Sequence, residues 1–286
     1  MKQGQRLWTR EELILAINLY LTIEFGKINQ SNPRIIHLAK LIGRTPSSIS
    51  FKLGNFGSFD PSLKNRGVGG LPNASKLDKA IWDEFYNNWE ERAYESEVLR
   101  AKYEKRNVED LVFTEDIKNL KGVEKERIVK VRVNQSLFRS MILASYSSAC
   151  CVTGINQPEL LVASHILPWS RDEENRMNPQ NGLCLNALHD RAFDNYLFSI
   201  TPEYKLTLSK RLKAQTKNES VFENFLRYEG KKITLPEKFK PEPRFLEQHF
   251  ATETAFAHQA GIDFSRHALK HQANLQGMTK AVREAC

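Results

Sequence analysis

The chain has 286 residues, 41% of them hydrophobic and 27% charged, with a formal net charge of +8. That is the composition of a soluble globular protein, long enough for one large domain or two ordinary ones. It argues against a membrane-spanning protein, because no run approaches the roughly 18 apolar residues that a transmembrane helix needs.

The first twenty residues do not read as a signal peptide: Glu11, Glu12 and Asn18 interrupt the apolar part, and no small-residue cleavage site follows. The four cysteines, Cys150, Cys151, Cys184 and Cys286, make no CxxC pair. A disulfide framework and a four-cysteine zinc site are therefore not expected, and a reducing, cytoplasmic compartment is.

In chain order, residues 9–23 predict a helix, with Thr9 as N-cap and Glu12 completing a capping box. A second helix is expected from Asn32 and Pro33 to Gly43, and a third from Thr45 and Pro46 onward, with Ile49, Leu53 and Phe56 at helical spacing. Two short helices joined at a glycine suggest a helix-turn-helix. Its second helix is expected to turn Arg44, Ser47, Ser48, Ser50 and Lys52 outward, toward phosphates and base edges. Residues 60–76 read as a loop or wing rich in Gly, Pro, Asn and Ser. One long helix follows, apolar at Leu77, Ile81, Trp82, Phe85 and Trp89. The stretch from about 101 to 128 alternates in charge and reads as a solvated helix or linker. Beyond it come a helix over "VNQSLFRSMILASYSSA", short strands at "YLFSIT", "YKLTLS" and "GKKITLP", and a helix at "EPRFLEQHFATETAF".

Charge is uneven along the chain. From Gly26 to Arg66 there are seven Lys or Arg against one acid, Asp60; from Lys205 to Arg244 there are eleven against five. Local surpluses of this kind point to a polyanionic partner.

The densest chemistry lies in "ELLVASHILPWSRDEENRMNPQNGLCLNALHDRAFD". It reads as strand, polar loop, strand, helix. His165 falls on the first strand, Asn181 at the start of the second and His189 at the start of the helix, at spacings of sixteen and eight residues. Phosphodiester hydrolysis needs a base for water and a cation for the phosphate and leaving oxygen. A histidine titrating near neutrality suits the base, and a second imidazole suits a metal ligand. An asparagine between them can fix the imidazole tautomer or the loop. The plainer reading of each residue alone is a satisfied core polar group.

The motifs at Cys151–Gly154, Ala163–Trp169, Asn178–Asn186 and Leu188–Asp194 together resemble the HNH nuclease superfamily, in the branch reading NGL and HDxxFD, over residues 131–250. The resemblance implies a β-hairpin packed on a helix around one divalent metal, with Mg²⁺ the first choice. Carried over, His165 is the general base, Asn181 supports it and His189 binds the metal. Ser164 stands where many relatives place a metal-binding Asp or His. Asp194 and Asp190 are the nearby carboxylates, and Asp194 is taken as the second ligand. Thr153 and Gly154 stand where zinc-bearing relatives have a second cysteine, so no structural zinc is expected. Arg139, Arg171, Arg176 and Arg191 are near enough in sequence to touch DNA, and Arg139 is taken as the first candidate.

The expected fold class is therefore α+β: a helix-turn-helix or winged-helix-like N-terminal domain and a C-terminal ββα-metal nuclease domain. The expected division is a DNA-recognition domain over 1–95, a charged helical linker over 96–130, the nuclease domain over 131–250 and a C-terminal extension over 251–286. The expected activity is endonucleolytic cleavage of double-stranded DNA in restriction or defence, with dependence on methylated or hydroxymethylated cytosine open. Two single-metal sites for two strands favour a homodimer. A regulator whose HNH fold has lost catalysis is the alternative.

Overall fold

The computed structural model describes residues 6–65, 67, 74–112 and 121–259. Arg66, residues 68–73 of the Gly- and Pro-rich loop, part of the charged stretch, His267, His271 and Cys286 lie outside them, as does the side chain of His258.

Thr9 accepts from the backbone of Glu12, and Glu12 accepts in return from the backbone of Thr9, so the capping box starts α1 (Arg10–Thr22) where the sequence placed it. Every residue from Glu12 to Thr22 is buried. The helix is thus the central rod of the N-terminal half and not an amphipathic surface helix. Asn32 caps α2 (Pro33–Ile42), which ends where Gly43 turns left-handed at φ 65°. Thr45 caps α3 (Pro46–Gly57), again with proline in the first turn. Both pack on α1 and on each other. After a short α4 (Pro61–Asn65), the single long helix expected is two, α5 (Lys76–Asn87) and α6 (Trp89–Tyr103). Asn88 breaks the path at φ −153°, ψ 69°, and its side chain caps α6.

Helix α6 runs into the charged stretch only as far as Tyr103. Trp89, Ala93, Leu99 and Ala101 of α6 are buried. Its outward charges pair along the helix, Arg92 with Glu95 and Arg100 with Glu97. Next comes α7 (Gly122–Ser145), which packs on α1, on α6 and on the hairpin below. The boundary expected between 130 and 131 falls inside this helix. One apolar cluster runs through both halves, from Leu13 to Leu246.

The C-terminal half opens on β1 (Leu161–His165), paired antiparallel with β2 (Gly182–Asn186), and α8 (Ala187–Asp194) follows directly. A second two-stranded sheet joins β3 (Phe198–Ile200) to β4 (Leu206–Leu208). The strand expected at "GKKITLP" is reduced to one bridge, Lys205 with Lys232. Helices α9 (Lys210–Lys213), α10 (Glu219–Asn224) and α11 (Pro243–Gln259) complete the described chain. Long helices with two small sheets make this an α+β fold. Among the described residues, no helix is long and apolar enough to cross a membrane.

Lys238 ties the halves together. Fully buried, it donates to the backbone oxygens of Tyr20 and Ile23, where α1 leaves carbonyls unpaired. Burial lowers its pKa to about 7.

Candidate active site

Alternation along β1 sends Ser164 and His165 to opposite faces of the hairpin. His165 meets α7: its ring stacks on Phe138 with centroids 4.0 Å apart and planes 9° from parallel, and Trp169 stands edge-on at 5.4 Å. Its Nε2 lies 2.9 Å from the Arg176 carbonyl. A carbonyl only accepts, so Nε2 carries the proton and Nδ1 keeps the lone pair. Burial holds the pKa below the usual histidine value, opposed in part by that carbonyl. A neutral imidazole with a free Nδ1 is the form a general base requires.

The close approach of α7 depends on Gly182, the residue paired with His165. A Cβ there would come within 2.3 Å of Ile142 and 2.9 Å of Phe138. Glycine in the "NGL" stretch thus lets α7 slide under His165.

Asn181 is fully buried and holds the loop, not the imidazole. Its Oδ1 accepts from the Leu167 backbone at 2.8 Å, and its Nδ2 donates to the oxygens of Leu167 and Asn175 at 3.2 and 3.3 Å. Asn175 precedes Arg176, so Asn181 fixes the carbonyl that orients His165 at one remove.

The other face of the hairpin meets α8. The Ser164 hydroxyl is buried without a well-formed hydrogen bond and approaches Asp190, whose carboxyl is raised above the usual range by burial. His189 sits one residue earlier. Asn186 caps α8, its Oδ1 accepting from His189 N at 2.9 Å and from His189 Nδ1 at 3.1 Å. The Asn186 amide is oriented in turn by donating to Thr153 Oγ1 at 3.1 Å. With its proton on Nδ1, His189 turns the lone pair of Nε2 inward, buried and without a well-formed hydrogen bond, although the Asn224 backbone approaches the ring. Phe225, Phe198 and Tyr228 surround the ring at 5.0, 5.8 and 6.1 Å. Burial lowers its pKa, and the Asn224 backbone opposes the shift.

Not every expected residue joins these. Asp194 lies five residues after His189, about 140° around the helix, on an exposed side. It does not share a face with His189. Among the described residues, no three His, Cys, Asp or Glu side chains are grouped as a metal would need. Cys150, Cys151 and Cys184 are buried free thiols, with Cys184 pushed up to about 12 by burial. Arg44 and Lys52 do not face outward. Arg44 binds Glu12 at 2.7 Å with both side chains nearly buried, and Lys52 binds both oxygens of buried Asp78 at 2.8 Å. Both cations flank the Trp8 ring, at 4.0 and 4.9 Å. Ser47 and Ser48 are half-exposed in the first turn of α3. Arg139 spends its guanidinium on the carbonyls of Leu161 and Pro158, pinning the start of β1.

Residues 150–201 match the family model of HNH endonucleases. This segment belongs to the HNH superfamily. No curated protein matches the chain. The HNH segment contains both histidines, Asn181 and Asn186, and its family points to nuclease activity on DNA. Phe138, Phe225 and Tyr228 touch it from outside. Of the residues not anticipated, Asn186 had a signal: an asparagine between a strand pattern and a helix pattern is a standard N-cap. Phe138 had none, since nothing local ties it to a strand 27 residues away.

Proposed function

We propose that the chain is a metal-dependent endonuclease that cuts double-stranded DNA. The observation that carries this is the tautomer of His165: the Arg176 carbonyl holds the proton on Nε2, leaving Nδ1 to take a proton from water. HNH nucleases use a divalent cation, and the buried Nε2 of His189, which makes no well-formed hydrogen bond, fits one. Its other nitrogen is held by a side-chain carbonyl, as in ligating histidines. His189 would hold the ion with few other protein ligands, which suits a largely hydrated Mg²⁺. When bound, the cation supplies positive charge to the phosphate and the leaving oxygen. Asn181 keeps the base in place through the loop, and the Phe138 and Trp169 rings limit its rotation. Incubation of the full chain with Mg²⁺ or Mn²⁺ and plasmid DNA tests this, with His165→Ala as control. Equal cutting by the variant would overturn it.

The finer role proposed is restriction or defence, with α2 and α3 as a helix-turn-helix reader. Its support is the half-exposed Ser47 and Ser48 at the start of α3. Parallel digestion of methylated, hydroxymethylated and unmodified plasmid tests for modification dependence; equal cutting of all three removes it. Light scattering on the DNA-bound protein tests for the homodimer. A second reading, a DNA-binding regulator with a silent HNH fold, is favoured by Ser164 in a ligand position and by the aromatic enclosure of His189. It predicts DNA binding with no metal-dependent nicking.

A further inference from the structure

The second basic surplus of the chain stays on the surface. Between Lys205 and Lys232 there are eight Lys or Arg against three acids. Two of those acids are already neutralised, Glu223 by Arg227 and Glu229 by Lys213. Lys205, Lys210, Lys217, Lys231 and Lys232 are exposed, and of these Lys205 has the Glu203 carboxylate nearby.

These cations are held together by the fold. Lys205 and Lys232 are bridge partners, so their side chains leave the same face. Leu206 donates to the Lys231 carbonyl at 2.9 Å and accepts from Gly230 at 2.8 Å, which locks the following loop onto β4. Glu229 joins Lys213 of α9 to that loop at 2.6 Å and also accepts from the Leu208 backbone at 2.7 Å. Arg227 and Lys231 both lie over the ring of Tyr228, at 5.7 and 6.0 Å. That ring stands 6.1 Å from His189. The positive surface therefore reaches the site itself, although all of it lies beyond the matched residues 150–201.

We infer that the face built by β4, α9 and the loop 227–232 is where the phosphate backbone of duplex DNA docks against the nuclease site. The inference rests on the endonuclease reading above, and it names the surface that holds the substrate. A cluster of exposed lysines suits sequence-independent phosphate contact. Tyr228 connects that cluster to the imidazole proposed to hold the metal. In the N-terminal surplus Arg44 and Lys52 are spent internally and Lys27 pairs with Glu24, which leaves Lys40 and Lys64 exposed on separate helices.

The test is anisotropy of a labelled 30-base-pair duplex with the full chain, in chelator and without added metal, across a salt series. The variants are Lys205→Ala/Lys231→Ala/Lys232→Ala and, as a second set, the same three positions changed to Gln. The triple variants should bind at least tenfold more weakly at low salt. Their slope of log affinity against log salt should be shallower by about 2 to 3, at roughly 0.9 for each phosphate no longer neutralised. Unchanged slope and affinity in both sets would overturn the surface while leaving the nuclease reading intact. Wild-type protein that binds with this pattern and never cuts would remove the nuclease reading while leaving the surface. Wild-type protein that does not bind the duplex would remove both.

Discussion

The two faces of the β1–β2 hairpin carry one histidine each, and the two are prepared in opposite ways. On the α7 face, His165 is held by a backbone carbonyl and clamped between aromatic rings, with its useful nitrogen left open. On the α8 face, His189 is held by a side-chain amide, and its useful nitrogen is buried under Phe225 and Tyr228. No hydrogen bond or ring contact joins the two imidazoles among the described residues. A base needs a lone pair that water can reach, whereas a ligand needs one kept from water until a cation takes it. The α8 face is assembled mainly from the matched segment, and the α7 face depends on a helix outside it.

The comparison can be broken at each face. His165→Ala should lower the cleavage rate by about 10²–10⁴, with DNA affinity nearly unchanged. A loss in affinity instead would place His165 in binding, not chemistry. The α8 face has a pH signature through His249 of α11, which stacks on Phe193 at 3.8 Å and hydrogen-bonds Ser199 at 2.8 Å. Burial lowers its pKa to about 4. The unfolded chain binds that proton near pH 6.5 and the folded chain resists it, so stability is fully present above 6.5 and falls as pH drops toward 4. The expected loss is on the order of 3 kcal/mol. Urea midpoints at pH 7 and pH 4.5, compared with His249→Gln, isolate it; identical pH sensitivity in the two proteins would count against it.

A smaller effect is expected from Asn186→Ala. Freeing the His189 ring should weaken Mn²⁺ binding by about 10- to 100-fold, seen by calorimetry. The lost α8 cap should cost about 1 kcal/mol in urea. Stability loss without any change in Mn²⁺ affinity would leave Asn186 as a cap alone. The smallest is Phe138→Leu, which removes the stacked ring beneath His165. A stacking energy of about 0.5–1.5 kcal/mol translates to a roughly 2- to 12-fold fall in kcat at constant KM. A change in KM alone would show that α7 supports substrate binding and not the base.

What the sequence disclosed follows from how local each signal is. The caps at Thr9, Asn32 and Thr45 and the turn at Gly43 were legible because each involves residues within four positions. The break at Asn88 was not, since Trp82, Phe85 and Trp89 keep helical spacing across it. The inward turn of Arg44 and Lys52 was hidden because their partners, Glu12 and Asp78, lie 32 and 26 residues away. Charge counting registers a surplus but not which acids will fold onto it. In the HNH segment, the positions of His165, Asn181 and His189 on strand, strand start and helix were readable from the motif. The orientation of His165 was not, because its partner is a main-chain carbonyl and carries no residue signature. Asp194 was misplaced by one residue of helical phase.

The 24 residues of α7 form a rod about 36 Å long that packs on α1, on α6 and on the hairpin. The family match begins at residue 150, but the fold draws the line elsewhere. A fragment beginning there would leave the bed of Phe138 and Ile142 behind and expose Gly182 to water. The unit that can be inherited by recombination is thus larger than the unit that sequence comparison sees. Any transplant of this hairpin to another protein must carry α7 with it, along with the N-terminal helices on which that rod rests.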